Sequence, residues 1–183
     1  MIATEVLEGE RVRLRPTTDG DVPLLMRWLN DDEVRHWTHL SEDPREALTL
    51  EGHRERWERN RDDPSHISWC IETKEGRPIG ELGLLRIETP HGRAELGISI
   101  GEKECWGRGY GTDAIQCVLR YAFGEMGLRR VSLITDEDNR RGIRCYEKCG
   151  FVREGLLRAH RLRDGRPLNM VLMAVLREEW GRE

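Results

Sequence analysis

Disulfide chemistry has little to work with in this chain. Its five cysteines, Cys70, Cys105, Cys117, Cys145 and Cys149, are odd in number, and no C-x-x-C pair occurs. That pattern argues against a secreted disulfide framework and against a cysteine-held zinc site. His36 and His39 share a spacing but have no cysteine or carboxylate pair at ligand distance in sequence, so no metal is expected. Long apolar runs are missing too. Nothing approaches the roughly 18 residues of a membrane span, and the N-terminus has no apolar signal region. A soluble, cytoplasmic protein with no membrane partner is expected. A basic excess is also absent: 35% of residues are charged, yet the net charge is −4. A general nucleic-acid binder, which needs a basic face, is therefore not expected.

What is present reads as one domain spanning residues 1–183, with no repeat or linker. Arg11 to Pro16 alternates charged and apolar residues, as a strand does. Asp19 or Asp21 can cap a helix carrying Val22, Leu25, Met26, Trp28 and Leu29 on one side. Asp32 to Trp37 continues as a short helix, and Pro44 to Arg61 is polar and helix-permissive. Three strands follow at His66 to Thr73, Pro78 to Ile87 and Arg93 to Ile100, with turn signals between them. Asp113 to Met126 has helical spacing, Val131 to Thr135 is a short apolar strand, and Asn139 to Cys149 is a helix closed by Gly150. Phe151 to Arg163 and Leu168 to Leu176 form a hairpin turning at Asp164-Gly165. The order predicts an α/β (α+β) fold, a mixed sheet with helices on its faces.

The most informative stretch is Trp106-Gly107-Arg108-Gly109-Tyr110-Gly111-Thr112, between a strand and a helix. Alternating glycines let a backbone come close to a ligand. The amides of such a loop and of the helix it opens converge on one spot, where the helix dipole adds positive charge. A pyrophosphate suits that spot, and Arg108 can add charge. A P-loop would need Gly-Lys-Ser/Thr at the end of the loop, and a Rossmann loop a further glycine where Thr112 stands. The second stretch runs from Asn139 to Phe151, with Tyr146 and Gly150 inside it.

Together the two stretches resemble the GNAT acetyltransferases, whose acetyl-CoA loop reads Gln/Arg-x-x-Gly-x-Gly/Ala and whose later helix reads Asn-x-x-Ala-x-x-x-Tyr-x-x-x-Gly-Phe. The chain departs from these patterns at Trp106, in place of Gln/Arg, and at Gly142, in place of Ala. Arg13-Leu14-Arg15-Pro16, Trp28-Leu29-Asn30-Asp31 and the tail from Gly155 to Trp180 are similar to the branch that acetylates ribosomal proteins. The resemblance implies a single GNAT domain with a splayed central sheet and helices on both faces. It implies acetyl-CoA as co-substrate, held by Ile98, Ser99 and Ile100, by the loop from Trp106 to Thr112, and by Asn139. It places Tyr146 as general acid toward the departing thiolate and Glu95 as a candidate general base. A backbone N–H on the strand of Ile98 would stabilise the oxyanion. The acceptor would be a primary amine, first the N-terminal amine of a protein. A polyamine or aminoglycoside is the alternative, for which Asp31, Asp32, Glu33 and Glu42 could provide carboxylates. A homodimer is common in that branch. A non-catalytic acyl-CoA sensor and a plain dinucleotide-binding module are the competing classes.

Overall fold

The computed structural model describes residues 5–38, 49–163 and 165–181. Among them, in chain order, are β1 (Leu7–Glu8), β2 (Val12–Pro16), α1 (Val22–Leu29), α2 (Asp32–Trp37), α3 (Leu50–Asp62), β3 (Ile67–Thr73), β4 (Pro78–Glu88) and β5 (Arg93–Ile100). These are followed by α4 (Tyr110–Gly124), β6 (Arg130–Asp136), α5 (Arg140–Lys148), β7 (Val152–Arg163) and β8 (Arg166–Leu176). The strands form one sheet in the order β1-β2-β3-β4-β5-β6-β8-β7. Every neighbouring pair is antiparallel except β5 and β6.

Period-two alternation sorts the strand residues onto two faces. On one face Leu14, Trp69, Leu82, Leu96 and Leu133 pack with the buried side of α4, including Ile115, Val118 and Leu119. Ile143 of α5 joins the same core. The opposite face carries a buried polar knot. Arg15 of β2 binds Asp21, just before α1, at 2.6 Å and Glu72 of β3 at 2.6 Å. Arg15 and the backbone N–H of Thr18 outweigh the burial that would otherwise raise Asp21, and its carboxyl is held below the usual range. This knot ties the α1 side of the molecule to the sheet. The mixed sheet with helices on both faces is the architecture expected.

The boundaries differ in places. The cofactor-loop helix starts at Tyr110, three residues before the expected Asp113, because Gly109 (φ +86°) forms its N-cap in the left-handed region. Tyr110 to Thr112 are thus first-turn residues. The two-residue β1 escapes any periodicity argument. The helix expected from Pro44 begins at Leu50, capped by Thr49, whose hydroxyl accepts from Gly52 N–H at 3.0 Å. Residues 44–48 and Asp164 lie outside the described residues, and β8 begins at Arg166, two residues before Leu168.

Asp113 locks β1 and β2 to α4. Its carboxylate accepts from the backbone N–H groups of Glu10, Arg11 and Val12 at 3.1, 2.7 and 3.0 Å. Removing it strands three donors at once. Asp113→Ala should cost about 2 kcal/mol and lower Tm by roughly 4–8 °C. Thermal unfolding followed by circular dichroism checks this; a shift under about 1 °C would mean that water replaces the carboxylate.

Candidate active site

The site begins where a ladder stops. β5 and β6 pair only at Arg93 with Arg130, Ala94 with Val131, and Glu95 with Ser132. Beyond Glu95, β5 continues to Ile100 bonded to β4, and β6 continues to Asp136 bonded to β8. The two strands diverge and leave a gap between them. Gly101 N–H donates to Ile79 on β4, whereas the Ile100 carbonyl accepts from the Trp106 indole N–H at 2.7 Å. Alternation along an antiparallel strand then turns the N–H and C=O of Ile98 the same way as those of Ile100, away from β4. Ile98 therefore presents a backbone donor to the gap, with Ser99 beside it directed back toward β4.

The loop expected to bind the cofactor sits at the open end of that gap. Gly107 (φ +73°) and Gly109 (φ +86°) both adopt conformations costly for other residues. The first intrahelical bond of α4 runs from Asp113 N–H to the Gly109 carbonyl. The amides of Tyr110, Gly111 and Thr112 precede it, and no side chain caps the helix. A Cβ on Gly111 would lie 3.6 Å from Cys145 Sγ and 3.9 Å from the side chains of Ile98 and Ile100. The missing side chain thus leaves room between α4, β5 and α5. Uncapped amides at a positive helix end, facing a slot between strands, fit the pyrophosphate and extended arm of CoA.

The chemistry-bearing side chains converge from β6 and α5. Asn139 caps α5 by accepting from Gly142 N–H at 3.0 Å, and its amide donates to Thr135 Oγ1 at 3.1 Å. Thr135, buried at the end of β6, is hydrogen-bonded with the Tyr146 phenol, a contact that by itself lowers the phenol's pKa. The contacts run from Asn139 to Thr135 to Tyr146. Burial nevertheless dominates and raises the Tyr146 pKa, with Cys145 and Cys149 adding to the rise. Sequence reasoning missed Thr135. Its spacing four residues before Asn139, across a turn, is the one available signal.

β6 is pinned just past that relay. Asp136, 1% exposed, binds Arg161 at 3.3 Å and also Arg163, both from β7. Arg163 reaches on to His36 of α2 at 3.1 Å, and Arg161 to the Thr38 carbonyl at 3.3 Å. A buried carboxylate needs such partners, and here they tie β7, β6 and the end of α2 together. His39 lies outside the described residues.

The remaining expected residues are placed as follows. Glu95 stands at the fork itself, on the face away from Ala94 and Leu96. Arg86 holds it through Nε at 2.7 Å and through a second contact to the other oxygen. Arg108 is exposed on the loop. Trp106 packs toward Leu25, Trp28 and Val34. Asp31 caps α2 and pairs with Lys103 at 2.8 Å, Glu33 pairs with the same lysine at 3.4 Å, and Asp32 pairs with Arg35. Cys145 lies 3.3 Å from Thr112 Oγ1, and hydrogen bonds from Cys149 and Thr112 hold it below the ordinary thiol range.

Residues 11–152 match the family model described as an acetyltransferase (GNAT) domain. The chain belongs to the GNAT acetyltransferase family. GNAT relatives cover it almost end to end. The spermidine N(1)-acetyltransferase of Escherichia coli is 29% identical over 170 residues, 92% of this chain and 88% of that protein. The putative ribosomal N-acetyltransferase YdaF of Bacillus subtilis is 27% identical over the whole of both chains. The structure of a putative acetyltransferase from T. thermophilus is 32% identical with a TM-score of 0.80, covering 97% of this chain and 92% of that one. This GNAT chain is therefore an acetyl-CoA-dependent acyltransferase, and acetylation of an amine is its reaction class.

Thr135→Val keeps the shape of the relay and removes its hydroxyl. It should lower kcat about 10-fold while leaving the Kd for CoA within about twofold. Steady-state kinetics beside calorimetric CoA binding read both; an unchanged kcat would mean that the Thr135 hydroxyl plays no part in turnover.

Proposed function

We propose that this enzyme transfers the acetyl group of acetyl-CoA to the primary amine of a small molecule, a polyamine or aminoglycoside type of acceptor, by direct attack within a ternary complex. One observation carries the choice of acceptor. Spermidine N(1)-acetyltransferases of Escherichia coli and Vibrio cholerae and an aminoglycoside N(6')-acetyltransferase of Klebsiella pneumoniae are similar over 92%, 94% and 80% of the chain, so relatives named for small amines recur. That favours the small amine over the protein N-terminus that the resemblance of the tail and first strand put first. The protein N-terminus stands as the second reading, supported by the full-length likeness to YdaF.

In this reading acetyl-CoA supplies the activated acyl group. Its phosphates would meet Gly107, Arg108, Gly109 and the first-turn amides of α4, and its arm would lie in the fork between β5 and β6, along Ile98, Ser99 and Ile100. The Ile98 N–H faces the fork, where a carbonyl oxygen gaining negative charge needs a donor. Tyr146 holds its own proton, with Thr135 behind it, and gives it to the departing sulfur. A phenol near pKa 10 or above can protonate a thiolate once that thiolate is desolvated. Glu95 is the candidate to receive the amine proton, which requires Arg86 to release one of its oxygens.

The deciding experiment mixes purified enzyme with acetyl-CoA and a panel of amines and follows free thiol. The panel holds spermidine, kanamycin, an internal-lysine peptide and peptides beginning Ala, Ser and Met. Spermidine or kanamycin should raise thiol release at least about 10-fold above the no-acceptor rate. Release with the N-terminal peptides alone would replace the small-amine reading with the second one.

Tyr146→Phe should keep CoA affinity and lower kcat about 100-fold or more. A non-catalytic sensor would show no turnover to lose. The general acid must be protonated, and its pKa is raised by burial. In the wild type, kcat should therefore show no alkaline fall below about pH 10. A fall centred near pH 8 would assign the proton to another group.

A further inference from the structure

Trp106 is the departure from the family loop that the site description leaves without a function. A Gln or Arg at that position would offer side-chain donors to the cofactor. The indole has one N–H, and it is spent on the Ile100 carbonyl at 2.7 Å. The ring itself is wedged against Leu25, Trp28 and Val34. It is a fixed shelf at the mouth of the fork, attached to the last residue of β5.

Something rests on that shelf. The Arg141 guanidinium, from the first turn of α5, lies with Cζ 3.7 Å from the Trp106 ring centroid. Contact at this distance is a cation–π stack. It reaches across the fork, since Trp106 is bonded to the end of β5 and α5 follows the end of β6. No side-chain hydrogen bond or ion pair to another described residue engages Arg141, and its position is set by the stack on Trp106. Glu33 and Tyr146 are the charged or titratable neighbours that act on it through space, and partial burial already costs its charge some hydration. A stacked guanidinium keeps its in-plane N–H groups free, and their geometry suits two oxygens of one phosphate.

We propose that Arg141 is a phosphate-binding residue for the CoA moiety, seated on Trp106 and supplying from α5 the cationic donor that the loop itself lacks at position 106. This rests on the acetyl-CoA reading of the fork. The pair moves a function from one element to another. Trp106 gives up the donor role and becomes the platform, and Arg141 spans the gap to take it. The phosphate contacted is either the pyrophosphate beside the α4 amides or the 3′-phosphate of the adenosine. Both offer the same chemistry to a guanidinium.

The test compares wild type, Arg141→Gln and Arg141→Lys by calorimetric binding of CoA, 3′-dephospho-CoA and pantetheine, with acetyl-CoA kinetics alongside. Arg141→Gln should weaken CoA about 10- to 100-fold, leave pantetheine binding unchanged, and raise the KM for acetyl-CoA with kcat preserved at saturation. Arg141→Lys should recover part of the loss. If dephospho-CoA loses as much as CoA, the contact is to the pyrophosphate. If dephospho-CoA binds both proteins alike, it is to the 3′-phosphate. Equal CoA affinity in wild type and Arg141→Gln would overturn the proposal, as would an equal loss with pantetheine, which would mark a merely structural role. Wild-type protein that binds no CoA at all would overturn the cofactor reading and this inference with it.

Discussion

Three residue pairs between β5 and β6 decide the rest of this molecule. A sheet that stays paired has no room for a ligand between its strands, and a sheet that splits without support exposes backbone groups at a cost. Here each limb beyond the fork keeps one full partner, β4 for β5 and β8 for β6. The inner edges alone are left open, which halves the number of unpaired groups. The fork is also wedged. Trp28 packs so closely on Gly101, just past β5, that any Cβ there would sit 2.1 Å from its ring. On the other limb, Asp136 and the two arginines of β7 fix the end of β6. Each limb is thus held by side chains outside the fork.

With the end of β6 held by its ion pairs, the small network at Thr135 has a defined place. α5 does three things within eight residues. Asn139 starts it, and Gly142 supplies the capped amide. Tyr146, two turns later, points back to the strand that precedes the helix. The same asparagine holds the threonine that holds the tyrosine. The cap therefore links helix position, strand end and the place of the Tyr146 phenol. The pKa of Tyr146 is raised, and its phenol stays protonated through the physiological range.

Much of this was legible in the sequence, for physical reasons that differ by region. The glycines at 107 and 109 announced backbone conformations that only a tight loop needs, and both adopt positive φ. The alternation of β2 and of β3 to β5, and the helical spacing of α4, reflect burial on one face and were readable as such. Contacts between distant segments were not. Glu95 was a candidate base by the family resemblance, but its engagement by Arg86 depends on the register of β4 against β5, which periodicity does not encode. Trp106 read only as a departure from the family's loop pattern. Its partner Arg141 lies 35 positions away and meets it only because the sheet forks. Thr135 looked like an ordinary strand residue because its role is created by the turn that brings Asn139 back beneath it.

The nature of the acceptor bears on how much the carboxylate at the fork matters. A primary alkyl ammonium near pKa 10.4 costs roughly 4.6 kcal/mol to deprotonate at pH 7, whereas a peptide α-amine near 7.7 costs about 1. For a protein N-terminus, solvent alone could take the proton, and Arg86 and Glu95 could stay paired throughout. For a small alkyl amine the same chemistry starts roughly 500-fold behind, and a base inside the fork becomes valuable. Glu95 is exposed enough, and placed on the face away from α4, to be reached from the side on which α1 and α2 lie. An ammonium arriving there would be drawn by its charge to the carboxylate and would compete with Arg86 for it. Displacing the guanidinium and accepting the proton are then successive parts of one event. The ion pair at the fork is consistent with the small-amine reading for that reason: it holds the carboxylate in place with one cation until a second comes close.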